Sequence, residues 1–170
     1  MHGGCPRKAY RAFHTGLHYS GSPMGNPTIE PAYRKKTMQP LQLFDTASST
    51  YTYILFDEAT RDAVIIDPVD QQVERDLAVL SQYGLKLCWT VETHAHADHI
   101  TAASMLAEHT SAQTAAPQAC GISTAALQMV DGDLLRFGRE TLLALHTPGH
   151  TAGSMSFVWR NHVFTGDTLL

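Results

Sequence analysis

One segment constrains this chain more than any other. Thr93-His94-Ala95-His96-Ala97-Asp98-His99 places four candidate metal ligands, His94, His96, Asp98 and His99, within six residues. Imidazole nitrogens and a carboxylate suit zinc or iron(II). An extended backbone points residues two apart to the same side, so His94 and His96 can converge on one point. The small Ala95 and Ala97 let such a loop pass close to an ion without obstruction. Two more ligand types follow at strand ends, His150 in Thr147-Pro148-Gly149-His150-Thr151 and Asp167 in Phe164-Thr165-Gly166-Asp167. A glycine beside each frees the backbone to turn sharply, and Pro148 stiffens the approach. A plainer reading, in which Asp98 merely caps the next helix, accounts for that residue alone. It leaves His94, His96, His150 and the Gly-Asp pair unexplained. His2, His14, His18, His109 and His162 fall outside the pattern and read as solvated or loop residues.

The regular part of the chain begins at Leu41. Leu41–Phe44, Thr50–Phe56 and Ala63–Ile66 have the apolar content and turn spacing of a three-stranded meander. Asp67-Pro68 supplies an N-cap and a first-turn proline, and Val69, Val73, Leu77 and Leu80 recur at helical spacing until Gly84. Leu85–Val91 is the next strand, followed by the histidine segment and a helix from Ile100 to about Glu108. After the turn Asp131-Gly132-Asp133, four short strands are expected at Leu134–Phe137, Thr141–His146, Ser154–Trp159 and Val163–Thr165. The predicted order is βββαβα followed by ββββ, an α/β chain whose candidate ligands all sit where strands end.

At 170 residues and 44% apolar, the chain suits one domain. Charged residues interrupt every apolar stretch before the roughly 20 residues a spanning helix needs, so a membrane partner is not expected. Residues 1–38 carry six Lys/Arg against one acid, whereas 39–170 carry six against fifteen. An acidic body repels phosphate backbones, and nucleic acid is not expected as a partner. The basic segment lacks apolar periodicity and reads as a flexible N-terminal extension. Cys5, Cys88 and Cys120 form no Cys-x-x-Cys pair, so neither a disulfide framework nor a thiolate zinc site is indicated. Cytoplasmic location follows, with the mitochondrial matrix as the alternative if residues 1–38 are a presequence.

Thr-His-x-His-x-Asp-His, then Pro-Gly-His-Thr, then Thr-Gly-Asp resembles the metallo-β-lactamase superfamily. Within it, the Ser48–Tyr53, Val64–Val69, Glu74–Leu77 and Glu92–Thr101 segments look like those of the persulfide dioxygenases, also called ethylmalonic-encephalopathy-type proteins. The resemblance covers residue 39 onward and implies an αβ/βα sandwich, with 39–170 as its N-terminal portion and the C-terminus incomplete. It implies one Fe(II) per chain held by His94, His150 and Asp167, with His96, Asp98 and His99 as outer groups or second-metal ligands. The implied substrates are glutathione persulfide and dioxygen, giving sulfite and glutathione, and a homodimer is admitted. Two alternatives stand beside it. One is a thiolester hydrolase like glyoxalase II with two zinc ions, and the other is a catalytically inactive, truncated metal-binding fragment.

Overall fold

Two β-sheets pack across one apolar core in the computed structural model, which describes Tyr10–Arg11 and residues 38–169. The short β1 (Tyr10–Arg11) pairs with a strand of the second sheet. The meander forms as patterned from β2 (Leu41–Asp45), β3 (Thr50–Phe56) and β4 (Asp62–Ile66), all antiparallel. Next come helix α1 (Val73–Gln82), β5 (Lys86–Val91), helix α2 (Ala103–Thr110), β6 (Gln113–Pro117) and β7 (Leu127–Met129). Strands β5, β6 and β7 extend the first sheet in parallel from β4. The second sheet joins β1 to β8 (Asp133–Phe137), β9 (Glu140–His146), β10 (Met155–Trp159) and β11 (His162–Phe164), antiparallel throughout.

The burial pattern explains this arrangement. Ala63, Val64, Ile65 and Ile66 are all fully shielded, as a central strand covered on both faces requires. Phe137, Leu142, Phe157 and Trp159 fill the same core from the second sheet. Helix α2 lies against β5 and β6 and touches α1. The sheets are also fastened at one edge by Asp57, which is fully buried after β3. Its carboxylate accepts hydrogen bonds from the Arg139 backbone N–H, Nε and Nη2 at the β8–β9 turn.

Several expectations are corrected. The helix expected to start at Asp67-Pro68 begins at Val73 after a 3-10 turn, Asp70–Gln72, because Asp67 takes a left-handed φ of 50° and its carboxylate is engaged elsewhere. The second helix begins at Ala103 rather than Ile100, which is exposed. Strands β6 and β7 escaped the reading, since Gln-Thr-Ala-Ala-Pro and Leu-Gln-Met carry little intrinsic β signal and form on the exposed edge of β5. The flexible extension expected over 1–38 lies outside the described residues, except that Tyr10–Arg11 pairs with β8 and Met38 is buried in the core. Cys120 keeps a free thiol, and Cys5 lies outside the described residues. Among the described residues no helix is long and apolar enough to cross a membrane.

Helix α1 carries one electrostatic liability. Asp76 is completely buried, its Oδ1 meets the Arg75 guanidinium at 2.9 Å, and its Oδ2 has no hydrogen-bond partner among the described residues. Burial raises its pKa to about 6, with Arg75 opposing the shift. The folded carboxyl therefore binds its proton more tightly than the unfolded one, and stability is lost as pH rises from about 4 to about 6. Asp76→Asn is expected to be more stable than the parent by about 1–2 kcal/mol at pH 7.5. The difference should vanish near pH 4, as read by urea denaturation at both pH values.

Candidate metal centre

Every candidate ligand sits just beyond the end of a strand. Chain leaving β5 passes through Glu92 and Thr93 to the histidine loop, chain leaving β9 carries His150, and chain leaving β11 enters the 3-10 turn Gly166–Thr168 with Asp167. Hydrogen bonds pull these ends together: the Met155 N–H donates to the Thr93 carbonyl at 2.8 Å, and the Thr168 hydroxyl donates to the Thr147 carbonyl at 3.2 Å.

The six predicted residues are brought together but divide into two groups. His94, His150 and Asp167 place their ligand atoms within 4.8 Å of one another. His94 Nε2 lies 3.9 Å and His150 Nε2 3.6 Å from Asp167 Oδ2. Atoms bound about 2.0–2.2 Å from one ion stand roughly 3–4 Å apart, so this spacing fits a single metal. His94 is buried, whereas the His150 and Asp167 side chains are each 42% exposed, which leaves one side of the group open.

His96, Asp98 and His99 form the second group. The His94 and His96 rings are brought within 4.1 Å of each other, but the ligand atoms of His96 group with those of Asp98 and His99. His96 Nε2 lies 3.2 Å from both Asp67 Oδ1 and Glu92 Oε2, two buried carboxylates that hold the ring's edge away from the first group. Burial works against charge on His96, but these two carboxylates outweigh it and push the imidazole up to about 10. Burial likewise raises the Glu92 carboxyl and lowers His94. His99 Nδ1 and Asp98 Oδ2 are 3.1 Å apart, and the Thr50 hydroxyl stands 3.3 Å from each.

Asp67, Glu92, Thr93 and Thr50 were not singled out by the sequence reading as site residues. The signal for Asp67 was present, since it follows a strand as Asp167 does. Its carboxylate accepts from the Thr93 N–H at 2.7 Å and the Thr93 hydroxyl at 2.8 Å. Cys120, given no role from sequence, braces the surroundings with its thiol 3.5 Å from the Gly153 carbonyl. Beside Asp167 and Asp98 opens a cavity of about 520 Å³ walled by Ser48, Thr50, Tyr51 and Tyr53 on one side and Phe164 on the other.

A model of the metallo-β-lactamase superfamily matches residues 45–119. The crystal structure of ETHE1 from Myxococcus xanthus aligns with a TM-score of 0.75 at 49% identity, covering 78% of this chain and 59% of that one. The chain has the metallo-β-lactamase fold. Among similar proteins, human "Persulfide dioxygenase ETHE1, mitochondrial" is 41% identical over 131 residues, 76% of this chain and 52% of the relative. The Hydroxyacylglutathione hydrolase of Gloeobacter violaceus is 36% identical over 124 residues, 70% of this chain and 48% of the relative. The chain thus spans about half the length of the curated relatives it matches. A metallo-β-lactamase fold implies a metal, and the His/Asp groups are where this chain can hold one.

Close packing between two of the ligand-bearing segments requires glycine at position 166. Gly166 has φ of +48°, and a Cβ there would stand 2.3 Å from Thr93 Oγ1. Gly166→Ala is expected to cost about 1–3 kcal/mol of stability. It should also weaken metal binding by displacing Asp167, as measured by urea denaturation and by cobalt(II) titration.

Proposed function

We propose that this protein is an iron(II)-dependent sulfur dioxygenase that converts glutathione persulfide, dioxygen and water to glutathione and sulfite. The observation that carries the reading is the separation of His94, His150 and Asp167, two imidazoles and one carboxylate, from His96 and its carboxylate partners. The similarity to human persulfide dioxygenase ETHE1, and to the Myxococcus protein that shares the name ETHE1, supports the same direction. His94, His150 and Asp167 would hold an iron(II) ion, which would supply redox chemistry toward dioxygen. The chain's own part is to aim the three ligand atoms, bury His94 and leave the His150–Asp167 side accessible. The adjoining cavity, with hydroxyl and aromatic walls, falls in the size range of small-molecule sites and suits a peptide-like thiol.

One observation favours a second reading. His96, Asp98 and His99 also cluster, and the buried His99 Nε2 has no hydrogen-bond partner among the described residues. With a second ion there, the six residues would suit a thiolester hydrolase using two zinc ions, and the Gloeobacter relative is named a Hydroxyacylglutathione hydrolase.

Metal content of the anaerobically purified chain, paired with oxygen uptake on adding glutathione persulfide, separates the two. The dioxygenase reading expects about one iron per chain and oxygen uptake. It falls if two zinc ions are bound and a glutathione thiolester is hydrolysed without oxygen consumption. Alanine at His94, His150 or Asp167 is expected to abolish iron binding. His96→Ala should weaken it by roughly 10–100-fold while keeping the stoichiometry, as read by titration under anaerobic conditions.

A further inference from the structure

A histidine binds a metal through only one of its two ring nitrogens, and something must decide which nitrogen keeps the proton. For His94, the residue that decides is its neighbour in sequence. Thr93 Oγ1 lies 2.8 Å from His94 Nδ1 and 2.8 Å from Asp67 Oδ2, in surroundings where Thr93, His94 and Asp67 are all buried. From this geometry we infer that Thr93 is a positioning residue that locks His94 with its proton on Nδ1 and its Nε2 lone pair turned to the metal. The inference rests on reading His94 as a ligand.

The hydroxyl has a single proton and two close neighbours. Asp67 is an acceptor at every side-chain contact it makes: its Oδ1 takes the Thr93 N–H at 2.7 Å and faces His96 Nε2 at 3.2 Å. The Thr93 hydroxyl proton therefore goes to Asp67 Oδ2. Its oxygen is then left as an acceptor, and a contact of 2.8 Å with Nδ1 is attractive only if Nδ1 carries a proton. A bare Nδ1 would set lone pair against lone pair in buried surroundings. Carboxylate, hydroxyl and imidazole thus form a chain, Asp67 to Thr93 to His94, with every proton pointing toward the carboxylate. The unprotonated Nε2 is the atom that stands 3.9 Å from Asp167 Oδ2.

The same hydroxyl also fixes the opposite ligand segment. Gly166, next to Asp167, presses its backbone against Thr93 Oγ1 closely enough that a Cβ would overlap it. Thr93 therefore sets both the ring state of His94 and the approach of the turn that carries Asp167. Valine has nearly the shape of threonine but supplies neither the donor nor the acceptor, whereas serine supplies both.

Nitrogen-15 NMR of the histidine rings in the metal-free, full 170-residue chain tests the inference directly. In the parent protein His94 is expected to show a protonated Nδ1 and a bare Nε2. Thr93→Val should admit the other tautomer and weaken cobalt(II) binding roughly 10–100-fold, and Thr93→Ser should restore both. A proton on Nε2 in the parent would overturn the inference. So would a folded Thr93→Val protein with unchanged tautomer and cobalt affinity. If Thr93→Val does not fold, the parent and Thr93→Ser spectra still decide. Cobalt binding involves no turnover, so a failure of persulfide oxidation leaves this result standing. Absence of cobalt binding in the parent removes the ligand reading and this inference with it.

Discussion

The carboxylate of Asp67 is the interaction on which the metal centre depends. It sits just past β4 and reaches across to the loop leaving β5, where it meets the Thr93 N–H, the Thr93 hydroxyl and His96 Nε2. A buried carboxylate is costly unless its lone pairs are filled by donors, and here three fill them. The backbone is pinned as firmly: the Asp67 N–H donates to the Val91 carbonyl, and the Thr52 hydroxyl donates to the Asp67 carbonyl. That pinning holds Asp67 in the left-handed region, a conformation aspartate tolerates better than most side chains.

From that anchor the rest of the centre follows as a matter of sheet geometry. Parallel pairing of β4 with β5 puts their C-terminal ends at the same edge, so Asp67 and Thr93 become neighbours although 26 residues apart. The second sheet delivers its contribution at that edge because β10 begins with Met155, whose N–H is taken by the Thr93 carbonyl. Ligands borne on loops are thereby held by strands that cannot shift without breaking a ladder, the condition for metal ligands placed with sub-ångström precision.

How far this was legible in the sequence depends on the range of the interaction involved. The meander, β5 and the four later strands follow from local apolar pattern and turn residues, and they formed close to the expected positions. The ligand types were legible too, because imidazole and carboxylate at Gly-flanked strand ends have few other uses. What was not legible depended on pairing. Strands β6 and β7 exist only because β5 offers an unfilled edge, and nothing within Gln113–Pro117 announces it. The role of Asp67 was masked by a local signal of equal strength, since Asp-Pro before a helical pattern is what an N-cap looks like. A distant threonine won that competition because two hydrogen bonds to one carboxylate, both buried, outweigh a cap open to solvent.

His96 is where the number of metal ions would be decided. Sequence spacing alone assigns it beside His94, yet the two buried carboxylates of Asp67 and Glu92 claim its Nε2 edge. These carboxylates push the imidazole up to about 10, so in the metal-free chain the ring balances buried negative charge. Its remaining nitrogen, Nδ1, lies 3.9 Å from Asp98 Oδ1. A three-ligand group that keeps an open side and an imidazolium that neutralises its buried neighbours are two halves of one arrangement. On the proposed reading, the chain keeps His96, Asp98 and His99 beside a mononuclear centre on His94, His150 and Asp167. It redirects one histidine toward carboxylates that the fold has already buried.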